Sequence, residues 1–283
     1  MSGKADNGPV TLAKALSFGV MSVFHQPVVA FYLAALIGVL LAADGAVTRH
    51  YLKPDPTAAG PSLTGLILWM ALLILVAAAV NVIWIRTTVL GHAKALAGGP
   101  RALLGRCLAV AWHQLGGAGL YIMTLVPVVG IVAFMANILP AGIQPLLLAI
   151  AISILPLVLI MTAVAVSVIG ASLDQKIRLR RAWRLSQPCR WLVAGCLFLP
   201  SLAAWPFSWA ARGLIGALAG ILPEPATPLV YLASAGAGGF IGGLALLVGL
   251  AGVTLPARKI LSLAMAADLP DDGDDIAGDD STP

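Results

Sequence analysis

PLLLAIAISILPLVLIMTAVAVSVIGASL, residues 145–173, contains no charged side chain and runs straight into DQKIRLRRAWRLSQPCRW, residues 174–191. The first stretch exceeds the ~20 apolar residues that cross a bilayer as a helix. The second carries Lys176, Arg178, Arg180, Arg181, Arg184 and Arg190 in a chain that has only 17 cations. An uncharged run halted by a basic cluster reads as a span that has reached the cytoplasmic face, because short cytoplasmic loops are enriched in Lys and Arg.

The whole chain has the same character. Of its 283 residues 60% are hydrophobic and 10% charged, whereas soluble domains have about 45–50% apolar and about 25% charged residues. Mean hydropathy is +0.97. A soluble domain of this length has no interior large enough to hide so much apolar surface. The expected class is an all-α polytopic membrane helix bundle. In that class the net charge of +5 reports topology, and no nucleic-acid partner is expected.

Six segments are long and apolar enough to span: 28–47, 66–85, 117–139, 145–173, from Trp191 to about Ala211, and 229–253. Six spans place both termini on one side. Arg49, Lys53 and Arg212 then fall on one face and the remaining cations on the other. This bias puts both termini in the cytoplasm. The N-terminal MSGKADNGPVTLAKALSF lacks the apolar core and small-residue cleavage site of a signal peptide, so the first span reads as retained. The expected organisation is a membrane domain over 1–260 and an acidic tail over 261–283. That tail holds seven of the twelve acids and reads as disordered.

The basic cluster also has helical character. Residues 176–187 read as a short helix in the headgroup region, with Ile177, Leu179, Ala182, Trp183 and Leu185 against lipid and the arginines reaching anionic headgroups. Similar stretches precede other spans: TLAKALSFGVMSVFHQP (11–27) and RALLGRCLAVAWHQLGG (101–117). Ala111-Trp112 aligns with Ala182-Trp183, and Gln26-Pro27 with Gln187-Pro188. The expectation is three repeats, 9–86, 99–173 and 176–256, each an interfacial helix followed by a transmembrane hairpin.

The segment Ala182-Trp183-Arg184-Leu185-Ser186, set before a late hairpin in a six-span chain with interfacial helices, resembles that of bacterial YciC-like proteins. It also resembles the membrane domain attached to some glycerophosphoryl diester phosphodiesterases. The resemblance lies in layout and about a dozen residues. It implies a bacterial inner-membrane architecture and a link to envelope lipid. It implies no activity, and the catalytic barrel of the diesterases has no counterpart here.

Side chains that carry chemistry are sparse. Ionisable groups inside a bilayer are costly and are kept for a purpose, and here only Asp44 falls near the edge of a span. Asn81, Thr124, Asn137 and Ser153 are the polar residues that a transporter would gather in a midplane cavity. His25, His50, His92 and His113 have no metal-ligand spacing, and Cys107, Cys189 and Cys196 form no CxxC pair. No metal, cofactor or catalytic constellation is therefore expected. Pro127, Pro156, Pro200 and Pro206 interrupt spans, as substrate-binding breaks or as packing bends. Gly238 with Gly242 and Gly239 with Gly243 have the spacing of close helix contacts, within the bundle or to a second copy or membrane partner. Trp84, Trp191 and Tyr231 read as interfacial anchors.

These features favour a non-enzymatic integral membrane protein that organises or senses lipid, or scaffolds a partner, with anionic lipids contacting Lys176, Arg178, Arg180, Arg181, Arg184 and Arg190. A permease for a small or lipid-like molecule is the alternative.

Overall fold

The computed structural model describes residues 9–52, 63–138, 145–175, 177–219 and 227–266. Every regular element among them is helical. In chain order these are α1 (Leu12–His25), α2 (Pro27–Leu52), α3 (Leu63–Leu90), a single turn α4 (His92–Ala95), α5 (Gly99–Ile138), α6 (Pro145–Ser172), α7 (Leu179–Ser186), α8 (Arg190–Ala219) and α9 (Thr227–Ala266). Among the described residues four stretches are long and apolar enough to cross a membrane: Pro27–Val47, Leu63–Leu90, Leu179–Ala217 and Val230–Ser262. The chain is thus an all-helical, multi-pass membrane protein.

Local chemistry sets the breaks between helices. Thr11 opens α1 by accepting the Lys14 amide on its hydroxyl at 3.3 Å. Pro27 ends α1, because proline offers no N–H and disfavours helical backbone at the residue before it; Gln26 accordingly leaves the helix at φ −134°. At the second Gln-Pro pair, α7 passes to α8 through one 3-10 turn, Gln187–Cys189. The related stretch between them reads His113-Gln114-Leu115, without proline. There the backbone continues unbroken, so the expected interfacial helix and the following span are one 40-residue helix, α5. The sharp turn into α5 uses Gly98 and Gly99, at φ +93° and +72°, where a side chain would be strained.

Helix α9 is central and packs against α8, α2 and α1, with further contacts to α3, α6 and α7. Small residues permit this. A Cβ at Gly38 of α2 would lie 2.7 Å from the Gly236 carbonyl oxygen, and one at Gly243 would lie 3.2 Å from the Ala34 backbone. Gly249 gives the same room to α8 at Cys196, and Gly252 to α1 at Ala15. Lipid tails are as apolar as leucine, so helices here associate through close van der Waals contact, which glycine maximises. Gly239 and Gly243 therefore serve an internal seam with α2. Gly238 lies under the Arg212 side chain, and Gly242 faces open space.

Several expectations change at this level. The three units are not equivalent: α5–α6 and α8–α9 pack as hairpins, whereas α2 packs chiefly on α9 and only lightly on α3. The middle unit has no separate interfacial helix, for want of a proline. Trp84 is not an interfacial anchor. It is fully buried, and its indole N–H donates to the Leu247 carbonyl at 2.7 Å, tying α3 to α9. Helix α9 runs on through Ala266, past the boundary drawn at 260. The acidic residues 268–283 lie outside the described residues.

Candidate functional site

Helix α7 has charged and small residues spaced so that one side is strongly basic and the other apolar. Ala182 and Ser186 are fully buried, and Ile177 just before the helix is 9% exposed. Ile177 lies on Gly170 of α6, where an added Cβ would come within 2.7 Å of its Cδ1. Leu179, Trp183 and Leu185 complete this face against the core. The apolar side of α7 thus packs on α6 and α9, not on lipid as the sequence suggested. A protein surface with a matching glycine gives it closer contact than fluid chains would.

The basic side remains outward. Arg178, Arg180 and Arg184 are exposed and Arg181 is half-buried. Arg190 turns back over the helix, its guanidinium carbon 5.0 Å from the centre of the Trp183 ring. Lys176 lies outside the described residues. Of the polar midplane set, Asn81 and Ser153 are half-buried in α3 and α6, and the half-buried Thr124 donates its hydroxyl to the Tyr121 carbonyl at 2.7 Å within its own helix. The Asn137 side chain lies outside the described residues. Neither concavity described below includes Asn81, Thr124 or Ser153 among its walls.

The turn that leads from α6 into α7 holds a charged junction. Asp174 takes the left-handed conformation, φ +63°. The Gln175 amide reaches back to the Gly170 carbonyl at 2.9 Å and the Asp174 amide to the Ala171 carbonyl at 3.3 Å. This pattern closes a helix C-terminus, with aspartate in the place usually taken by glycine. Arg86, at the end of α3 and only 4% exposed, enters the same turn. Its Nη1 donates to the Ser172 carbonyl and to Asp174 Oδ2, both at 2.9 Å, and its Nε donates to the Ala95 carbonyl at 2.8 Å. A buried guanidinium is tolerated because it meets the unpaired carbonyls that end α4 and α6, where the helix dipoles favour a cation. From α5, Arg106 donates Nε to Asp174 Oδ1 at 2.7 Å and Nη1 to the Ala97 carbonyl at 3.0 Å. One carboxylate thus joins α3, α5 and α6. The Arg106 hydrogen bond, reinforced by Arg86 and opposed by partial burial, holds the Asp174 carboxyl below the usual carboxylate range.

Sequence reasoning does not find this junction, because the cation bias accounts for Arg86 and Arg106 by topology alone. A signal was present: Asp174 is the sole acid between Asp55 and Glu224, in the most basic part of the chain. An isolated acid among cations at the end of an apolar run has ready partners.

Beside the junction lies a groove with a cavity volume of about 850 Å³. One wall is a face of α5 that includes Gly105, Arg106, Trp112 and His113. The other runs from Ala171 through Asp174 to Arg178 and Leu179. The groove is rich in donors, and its one carboxylate is already shared by two arginines. Its chemistry suits an anion with several acceptor oxygens. Comparison with family models, with curated proteins and with solved structures returns no match for this chain.

Proposed function

We propose that the chain is a bacterial inner-membrane protein of six spans, α2, α3, α5, α6, α8 and α9, with both termini in the cytoplasm. It is non-enzymatic and organises or senses anionic lipid at the cytoplasmic face. The bacterial source and the link to envelope lipid rest on the resemblance to YciC-like proteins, and the orientation rests on the cation bias. The observation that carries the reading is the arrangement of α7: its apolar face is fixed on α6 and α9, and Arg180 and Arg184 stand exposed on the other side. A cation near an anionic leaflet contributes about 1 kcal/mol. Fixing the helix on the bundle spares the ordering cost that a free amphipathic segment meets on binding.

The test is native mass spectrometry of the full chain with phosphatidylglycerol and phosphatidylcholine, before and after Arg180, Arg181 and Arg184 are changed together to Gln. The expected result is a wild-type preference for phosphatidylglycerol that weakens in the variant. Equal uptake of the two lipids by the wild type overturns the reading.

A further inference from the structure

Trp112 of α5 lines two concavities of opposite chemistry. On one side is the donor-rich groove just described. On the other is a cleft of about 530 Å³ between α3 and α5, bounded by Leu66, Met70 and Ile74 on α3 and by Leu108, Ala111 and Leu115 on α5. The cleft carries no charged side chain in its walls and extends along about 13 Å of α3, at 1.5 Å per residue from Leu66 to Leu75. The polar groove and the apolar cleft therefore occupy neighbouring faces of one helix, with the Trp112 ring, 75% exposed, as the ridge between them.

The groove's charge is not balanced from within. Asp174 is taken up by Arg86 and Arg106. The side chains of Arg178 and His113 and the indole N–H of Trp112 have no partner among the described residues. All three are donors or carry a donor nitrogen. The groove is also kept open: a Cβ at Gly105 would meet nothing within 4 Å, and one at Gly116 only a Leu179 methyl at 3.9 Å.

We infer that groove and cleft together form a site for one anionic phospholipid, its phosphate facing Arg178 and Arg106 and one acyl chain crossing Trp112 into the α3–α5 cleft. The inference rests on the proposal that the chain lies in an anionic membrane, and adds a discrete site distinct from the outer face of α7. Cation–phosphate attraction supplies the preference for anionic lipid. Burial of the chain distinguishes a lipid from free phosphate, and tryptophan suits the boundary because its ring is apolar and its N–H polar.

The experiment titrates the full chain in mild detergent with dioleoylphosphatidylglycerol, dioleoylphosphatidylcholine and glycerol phosphate, counting bound lipids by native mass spectrometry. The expected wild-type result is one tightly retained phosphatidylglycerol that glycerol phosphate fails to displace. R178Q weakens it about fivefold, the effect of one cation near the surface. Gly105→Leu, whose Cβ would enter open groove with nothing within 4 Å, and Ala71→Trp, which fills the cleft, each lower retention tenfold or more at unchanged Tm. Changing Arg180, Arg181 and Arg184 to Gln leaves this one lipid in place. Retention at wild-type affinity in R178Q and Gly105→Leu overturns the inference, as does displacement by glycerol phosphate at equal affinity. If the groove variants have no effect while the α7 variant lowers phosphatidylglycerol uptake, the site fails and the functional proposal stands. If the wild type takes up both phospholipids equally, both fail.

Discussion

The α2–α9 seam and the α3–α5–α6 junction hold helices together by opposite means. At the seam, Gly38, Gly239 and Gly243 remove side chains so that backbones touch. At the junction, Arg86 and Arg106 extend long side chains to span a gap and end on Asp174 and on carbonyls left without partners where helices end. The environments explain the difference. Among lipid-like surroundings a helix gains nothing from apolar area alone, so contact distance decides. Where helices end, backbone carbonyls lack partners, and an arginine with five donors can satisfy several at once. The seam should therefore respond to volume and the junction to charge and hydrogen bonding.

The largest effect is expected at the seam. Gly38→Leu forces two backbones apart, because an added Cβ alone would sit 2.7 Å from the Gly236 carbonyl oxygen. Destabilisation of about 3 kcal/mol or failure to assemble is expected, read as loss of a monodisperse peak in detergent. Gly242→Leu, on the partner helix α9, is the control: a Cβ there meets nothing within 4 Å, so its Tm should stay near that of the wild type. Equal damage from both would show that volume at the seam is not what matters.

Arg86→Ala comes next. It removes a buried donor set and leaves the Ser172 and Ala95 carbonyls without their partner. A loss of about 2 kcal/mol is expected in thermal or denaturant unfolding. Arg86→Lys should recover only part of it, since one ammonium cannot reproduce the divergent fork of a guanidinium. Full recovery would mean that charge alone holds the junction.

The smallest effect belongs to Asp174→Asn. Asparagine tolerates the left-handed backbone, so the turn survives and only the charge is lost. Because the Asp174 side chain is 54% exposed, solvent screening limits the cost to about 1 kcal/mol at pH 7. Its pKa is lowered in the folded chain, mainly by the Arg106 hydrogen bond. Its stabilising contribution is therefore complete above the ordinary carboxylate value of about 3.9 and fades as pH falls through the lowered one. Tm profiles of wild type and variant should converge below about pH 4. Parallel profiles down to pH 2 would remove Asp174 from the charge account.

Much of the architecture was legible in residues that act locally. The Gln26-Pro27 and Gln187-Pro188 pairs stand where amphipathic stretches meet the next helix, and the apolar runs mark membrane helices by length. The repeat pattern was legible only in outline, because similar sequences diverge in structure when one lacks a proline. Leu115, in the position of Pro27, turns an expected break into the middle of α5. The candidate site was half legible. The arginines of α7 stood out as a cluster, but Arg86 and Arg106 were hidden among cations explained by topology.

The sequence by itself determined that the chain is a helical membrane protein, where several helices stop, and which segment carries its densest positive charge. Those properties follow from composition and from the backbone limits of proline and glycine. Only the tertiary structure decided that Trp84 is core, that α7 rests on protein, that Gly239 and Gly243 serve α2, and that Asp174 gathers two arginines from helices far apart in sequence. Apolar periodicity cannot separate lipid from protein as the partner of a helix face, because both are equally greasy. That choice depends on which helix lies close enough, a property of the assembled bundle.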